Sequence, residues 1–391
     1  MRNATKDFPR VGIMVERDRA HGRGVLEGIA DYQLRETSWR VELVSRADLL
    51  KPAFVAGFDG LIVRVMDNAL ANALVASGKP VVDTYGRLDD NPLPSIRLDD
   101  EAIGALAAET FAERHFKNCA YCGFPAIRFS VARGKTFAAS VAARGGTCAT
   151  YSARRSHGFA DKMFLRENVE NIVDAKDLTA WVQSLEKPVA IFCCNDMRAL
   201  QLQRVCRQAK MDLAHEISIL GVDNDTVLCT FTNPSLSSID TDPHALGWTA
   251  AEMLAAQMDA GDRRTVVAAL HRPRGVVERM STQVYPFKTP WLAEAVAYIR
   301  RNLAKGVTAD DVVRRIGYSH PTVSRAFVAE LGHPVKKEIQ CQRSRLACRL
   351  LKETSYSAGE ISARCGYRSP QYFSHCFAEE FGVPPDVWRK S

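Results

Sequence analysis

The chain has 391 residues and a formal net charge of +7, from 52 Lys and Arg against 45 Asp and Glu. Its length predicts more than one domain, and 46% hydrophobic with 25% charged residues excludes extensive disorder or collagen-like repeats. No stretch approaches the ~18 uninterrupted apolar residues of a spanning helix, residues 1–10 lack a signal-peptide core, and the eleven cysteines show no zinc-site spacing, so a cytoplasmic protein with reduced thiols and no metal or cofactor is expected.

In chain order, residues 11–15 (VGIMV) read as a strand, and Val25, Leu26, Ile29 and Leu34 as the inner face of a helix. Residues 41–44 and 61–65 are further strands, 69–76 a helix, and Val81-Val82 a strand behind Lys79-Pro80. A helix at 99–115, a strand at 119–123 and a helix at 131–143 follow. Residues 189–194 (VAIFCC) form a continuous apolar run, 196–210 a helix, 217–222 (ISILGV) a strand and 243–258 a helix. Short apolar strands alternating with helices predict parallel sheets covered on both faces. Such sheets bind ligands beyond the carboxyl ends of their strands.

Those ends carry polar groups: 16–24 (ERDRAHGRG), 83–87, Asn195-Asp196, 223–225 and 237–241. Polyols need such groups, because each hydroxyl must exchange water for donors and acceptors of fixed geometry. Each position also has a purely structural reading. Asn195 could cap the helix that starts there, Asp223 could serve a turn, His21 could be a satisfied loop residue, and Asp240 could cap the helix from Pro243. Gly22-x-Gly24 followed by Gly28 lacks the spacing of a phosphate loop.

The order of ERDRAHGRGVLEGI, GKPVVDTYGR, VAIFCCNDMRAL, ISILGVDND and LSSIDTDPHALG resembles the two-lobed periplasmic-binding-protein fold in its LacI-type repressor version, over about residues 10–281. The resemblance implies an α/β sensor whose interlobe cleft binds a sugar through Asn195, Asp223 and Asp83, with Arg19 and His21 from the first loop. The family's ligand-binding arginine falls at Val131 here, which leaves the neighbours Arg128 and Arg133 as candidates. Asp240 is a further candidate from the last loop. Those repressors carry a helix-turn-helix before the sensor, whereas only about ten residues precede Val11, so a reading head is expected elsewhere.

Residues 281–290 (STQVYPFKTP) read as a linker, and from Trp291 the pattern is wholly helical. Residues 291–391 hold 16 Lys and Arg against 10 Asp and Glu, +6 of the net charge, which suits a module that meets a polyanion. The segment repeats itself. Arg315, Gly317, Tyr318 and Pro321 recur 49 residues on, and Ser324, Phe327 and Gly332 recur 50 residues on. Each copy reads as helix, glycine turn, helix, with Gly317 and Gly366 supplying positive φ and Ser319 capping the second helix. Val323, Phe327 and Leu331 form the inner face, as do Phe373, Phe377 and Phe381. That leaves Ser319, His320, Thr322, Ser324 and Arg325, and Ser369, Gln371, Tyr372, Ser374 and His375, for base edges and phosphates. Arg343, Arg345 and Arg349 on the connecting helix are candidates for phosphate contact.

Residues 291–391 resemble the DNA-binding domain of the AraC/XylS family through Ile361, Gly366, Tyr367, Tyr372-Phe373, Phe377, Gly382, Pro385 and Trp388-Arg389. The first unit matches through Gly317, Phe327 and Gly332, and the linking helix through Arg343, Ala347 and Leu350-Leu351. Val335 departs from a frequent proline. The expected architecture is thus a two-lobed α/β sensor (1–280), a linker (281–290) and an all-α module with two helix-turn-helix units (291–391). The combination resembles the xylose-operon regulators. It implies a cytoplasmic, dimeric activator of pentose catabolism that binds double-stranded DNA, with D-xylose as the first effector to try and RNA polymerase among the candidate partners. No GxSxG elbow, HExxH, Walker loop or catalytic carboxylate pair points to an enzyme.

Overall fold

The computed structural model of the chain describes residues 8–389 apart from 87, 89, 126, 153–171, 214 and 261–267. The chain begins with β1 (Arg10–Met14), α1 (Ala20–Glu36), β2 (Arg40–Leu43), α2 (Arg46–Leu49), α3 (Pro52–Val55), β3 (Gly60–Val63), α4 (Asn68–Ala76), β4 (Val81–Asp83) and β5 (Ser95–Leu98). Then come α5 (Asp100–Ala112), β6 (Asn118–Cys122), α6 (Arg128–Ala143), β7 (Thr147–Thr150), α7 (Ala175–Ser184), β8 (Val189–Cys193), α8 (Asp196–Gln208), β9 (Ile217–Val222), α9 (Thr226–Phe231) and β10 (Ser237–Asp240). After α10 (Pro243–Ala260), β11 (Ala268–His271) and β12 (Gly275–Val277), the chain is helical: α11 (Pro290–Arg301), α12 (Ala309–Ile316), α13 (His320–Leu331), α14 (Val335–Glu353), α15 (Ala358–Arg364), α16 (Pro370–Phe381) and α17 (Pro385–Trp388).

The strands form two sheets, ordered β11-β5-β4-β3-β1-β2 and β12-β10-β9-β8-β6-β7. Every pairing is parallel except β10 with β12. The apolar runs explain the central strands: β3, β8 and β9 are buried at every position, as strands covered on both faces must be. Each sheet is the centre of one lobe. The chain crosses between lobes beside Asp99, at Thr241-Asp242 and between His271 and Gly275, and this triple crossing is the hinge.

Gly28 and Gly247 belong to a helix contact. A Cβ on Gly28 would lie 1.9 Å from the His244 carbonyl oxygen, and one on Gly247 would lie 2.1 Å from that of Val25. Gly28 and Gly247 therefore let α1 and α10 touch backbone to backbone, which the sequence alone leaves unexplained. Around them Val25, Ile29, Leu246, Ala250 and Leu254 share one core with Val11, Ile13 and Ile62 of the sheet.

Residues 281–290, read as a linker, are packed over their first half. Ser281 donates from Oγ to the Ile219 carbonyl and accepts from the Ser237 N–H, which ties the segment to β9 and β10. Val284 joins the core of the second lobe and Tyr285 that of the helical module, where its ring stacks on Phe287 at 5.8 Å. The connection is thus a seam shared by both modules.

In the helical module Gly317 and Gly366 adopt φ of 77° and 73° as expected. Gly366 has a second reason to lack a side chain, because a Cβ there would sit 1.8 Å from the Leu303 carbonyl oxygen. Ser319 accepts from the Thr322 N–H, and capping boxes at Thr308/Asp311 and Ser357/Glu360 start the first helix of each unit. Val323, Phe327, Phe373 and Phe377 are fully buried. Leu331 and Phe381 sit at the rim instead, Phe381 because its ring lies against Phe377 and Trp388 at the edge of the core.

Gly28→Val should destabilise the chain by about 1–3 kcal/mol or more, because neither helix backbone can yield. Urea unfolding measures this, and wild-type stability would show that the contact can open without cost.

Candidate ligand cleft and nucleic-acid interface

A cleft of about 110 Å³ lies between the lobes at the carboxyl ends of the strands. Its walls bring together Arg19, His21, Arg133, Asn195 and Asp223 of the expected residues. Asp196 and Asp225, at strand ends the sequence marks, join the same lining, and sequence reasoning missed Arg64, Arg97, Asp100 and Phe129. Arg64 falls inside the strand expected at 61–65, but β3 ends at Val63 and leaves it at the strand end; Arg97 and Asp100 lie on a crossing, where no apolar run marks a strand end.

The charges nearly balance. Arg19, Arg64, Arg97 and Arg133 face Glu16, Asp100, Asp196, Asp223 and Asp225. Arg133 is 3% exposed; its Nε donates to Asp100 Oδ1 at 2.8 Å and its Nη1 to the Cys194 carbonyl at 2.6 Å. Burial opposes its charge, yet the Asp100 and Asp223 carboxylates hold its pKa above the ordinary arginine value. Arg64 lies 3.8 Å over the Tyr85 ring and Arg133 4.8 Å over Phe129, so two aromatic faces also border the cleft. Such a mixture of fixed donors, acceptors and rings suits an uncharged polyol better than an ion.

His21 contributes an enclosed polar atom. Its Nδ1 is buried and has no hydrogen-bond partner among the described residues. Burial, with Arg64 and Arg133 close by, pushes its pKa down to about 3, so the imidazole is neutral. A buried unpaired nitrogen costs about 1–3 kcal/mol and becomes satisfied when a ligand hydroxyl meets it.

Asn195 does both things foreseen for it, capping α8 by accepting from the Arg198 N–H at 2.9 Å while lining the cleft. That helix start is fixed by Arg198, which is 1% exposed and donates to Asp174 at 2.7 and 3.1 Å and to Gln201 at 2.8 Å. Asp223 sits at φ 102°, outside the comfortable range for a side-chain-bearing residue, a strain typical of binding sites.

Three expected residues lie outside the lining. The Asp83 carboxylate accepts from the N–H groups of Val65, Tyr85 and Gly86 and from Asn91 Nδ2, at 2.8–3.0 Å. It is buried beneath the cleft and shapes the loop that presents Thr84 and Tyr85. Arg128 donates from α6 in the second lobe to the Gly86 and Leu88 carbonyls in the first, at 3.1 and 3.2 Å, so it spans the lobes. Asp240 accepts from the Asp242 N–H at 2.9 Å and lines a different groove, on the side facing the helical module.

On the helical module, Ser319, His320, Ser324, Arg325, Gln371, Tyr372 and His375 are exposed, and Thr322, Ser369 and Ser374 are partly so. All ten lie at the cap or in the first half of α13 and α16. A groove of about 1280 Å³ between the two units is lined by Lys305, Lys336, Lys337 and Arg368, cations the motif reading passed over. The arginines of α14 serve other ends. Arg343 donates to the Val307 carbonyl and lies 5.6 Å over the Tyr367 ring, while Arg345 and Arg349 line the groove toward the first module.

Comparison with known proteins agrees with this geometry. Residues 108–282 match a periplasmic binding protein-like domain and residues 296–391 a helix-turn-helix domain. The chain is 26% identical over 393 residues to the xylose operon regulatory protein of Escherichia coli K12, covering 97% of this chain and 96% of that one. It superposes on the solved structure of a xylose-binding transcription activator with a TM-score of 0.61 at 24% identity, over 98% of both chains. A periplasmic binding protein/LacI regulator from Alkaliphilus metalliredigens, solved with D-xylulofuranose, matches 70% of this chain and 99% of its own at TM-score 0.53 and 19% identity. The chain is therefore a helix-turn-helix transcription regulator with a periplasmic-binding-protein-like module. It is a homologue of the xylose operon regulatory proteins along its whole length. No helix among the described residues is long and apolar enough to cross a membrane.

Asp196 gives the cleft a pH signature. Burial raises its carboxyl to about 7, against hydrogen bonds from Ser238, the Asp225 N–H and Cys229 that favour the ionised form. A folded pKa above the unfolded value means the group stabilises the fold at low pH and loses that contribution as pH rises through about 7. Asp196→Asn should therefore gain melting temperature relative to wild type between pH about 5 and about 8. A difference that stays flat across that range removes Asp196 as the titrating group.

Proposed function

We propose that this regulator is a cytoplasmic activator of pentose-catabolic genes whose effector is D-xylose. Residues 1–280 form the sugar sensor, 281–290 the connection and 291–391 the DNA-binding module. The sugar lies between the lobes, where Asn195, Asp223, Arg133, Arg19 and His21 meet its hydroxyls. The observation that carries this reading is the charge-balanced cleft with its unpartnered His21 nitrogen, a lining built for a neutral polyol. The names borne by full-length relatives favour xylose among such ligands.

Sugar binding favours the closed arrangement of the lobes, which Arg128 spans, and shifts the population toward it only by its greater affinity for that state. The protein works as a homodimer, so four helix-turn-helix units are available to one operator. Each places the start of α13 or α16 in the major groove, with Lys336, Lys337 and Arg368 near the backbone between them. Bound beside a promoter, the dimer contacts RNA polymerase.

A thermal-shift panel of pentoses and hexoses tests the effector. D-xylose at a hundred times its Kd should stabilise the protein by about 2.7 kcal/mol, and Asp223→Asn should weaken binding by about 1–3 kcal/mol. If no sugar in the panel raises the melting temperature, the sensor reading fails. For the head, Arg325→Ala should weaken operator binding and lower the slope of log Kd against log salt by about one. An unchanged slope would take Arg325 off the phosphate.

A further inference from the structure

We infer that α5 is the element through which the state of the sugar cleft reaches the DNA-binding module, and that Arg114, His115, Glu278 and Glu338 are its coupling residues. The inference rests on the sensor reading above and names the route by which that sensor acts.

The two ends of one helix support it. At the first end, Asp99 caps α5 at the hinge by accepting from the Ala102 N–H. The next residue, Asp100, lines the cleft and holds Arg133 at 2.8 Å. A ligand that engages Arg133 therefore bears on the start of α5. The helix spans 13 residues, roughly 20 Å of stiff rod, and Ile103, Ala107, Ala108 and Phe111 seat it in the core of the second lobe.

Just past its other end, two successive side chains lead to the helical module, Arg114 by way of Glu278 and His115 directly. Arg114 is 1% exposed; its Nε donates to the Thr282 carbonyl at 2.8 Å and its Nη2 pairs with Glu278 at 3.0 Å. Glu278 pairs in turn with Arg300 of α11. His115 is held at φ 63°, a strained value for a side-chain-bearing residue, which aims its Nε2 at Glu338 Oε1 of α14, 3.3 Å away. Glu338 is wholly buried, Gln342 donates to it at 2.6 Å, and His333 stands 3.4 Å from its other oxygen. A buried carboxylate tolerates few positions relative to its partners, so these contacts define where the module sits.

The rest of the junction permits a second seating. Beside these pairs the modules leave a groove of about 470 Å³ lined by Arg274, Arg345, Arg349, Gln342 and Asp240. Polar walls with open space between them are held by a few charged contacts, and small shifts at one end select among discrete arrangements.

The test uses the full-length protein and a labelled duplex that it selects from a random-sequence pool. The ratio of duplex Kd without and with D-xylose is the coupling factor, expected at about 5–150 for the wild type. His115→Ala and Glu338→Gln should bind D-xylose within about twofold of wild type while their coupling factor falls to about one. A variant that keeps the wild-type factor overturns the proposal. A second arm needs no sugar: Asp100→Asn weakens the Arg133 pair at the cleft and should alter amide hydrogen exchange at residues 333–345. Unchanged exchange there also overturns it. Failure of every sugar to bind would sink the effector reading alone, because the Asp100→Asn arm still reports on the helix.

Discussion

A buried guanidinium must be matched by a carboxylate or carbonyl oxygens, because its charge cannot be left uncompensated away from water. Among the described residues that constraint is met at three points, and much of the organisation follows from them. Arg133 is matched in the cleft, Arg198 beneath the Asn195 strand end, and Arg114 at the junction of the modules. Arg198 shows the cost most plainly: Asp174 and Gln201 supply its acceptors, and the Phe124 and Tyr151 rings flank it at 5.0 Å. Removing the carboxylate partner of any of the three would strand a charge, so the geometry around each arginine is narrowly set. The cleft inherits its precision from those anchors.

The two-lobed fold was legible because its central strands are continuous apolar runs, and a run such as VAIFCC reads as a strand covered on both faces. Asn195 and Asp223 were legible for the same reason, since a polar residue ending such a run faces the ligand side of a parallel sheet. Asp83 satisfied that criterion too, yet the loop after β4 turns back and consumes its carboxylate in backbone hydrogen bonds. Which polar residue at a strand end looks outward depends on the path of the next few residues, and that path leaves no trace in hydrophobic periodicity. The role of Gly28 was illegible on its own, because the helix it touches lies more than two hundred residues further on.

Charge behaves likewise. The excess of +6 in residues 291–391 pointed to a polyanion, but the structure divides those cations between two jobs. Arg325, Lys336, Lys337 and Arg368 stand on open surface, whereas Arg343 braces α14 against the second unit and Arg300 reaches the first module. Net charge therefore overstates the electrostatic reach of the head toward DNA, and the position of each cation on its helix decides its part.

The backbone contact between α1 and α10 also has a meaning in time. The core of the first lobe draws Leu246, Ala250, Ala251 and Leu254 from a helix made long after β1 and α1 have left the ribosome. At ordinary elongation rates of ~5–20 residues per second, α1 waits roughly 10–40 s for its partner. During that wait its glycine-lined face is bare, while five of the six strands of the second sheet, β6 to β10, have already been made. Both lobes thus close late, the first only after α10 and β11 and the second only after β12.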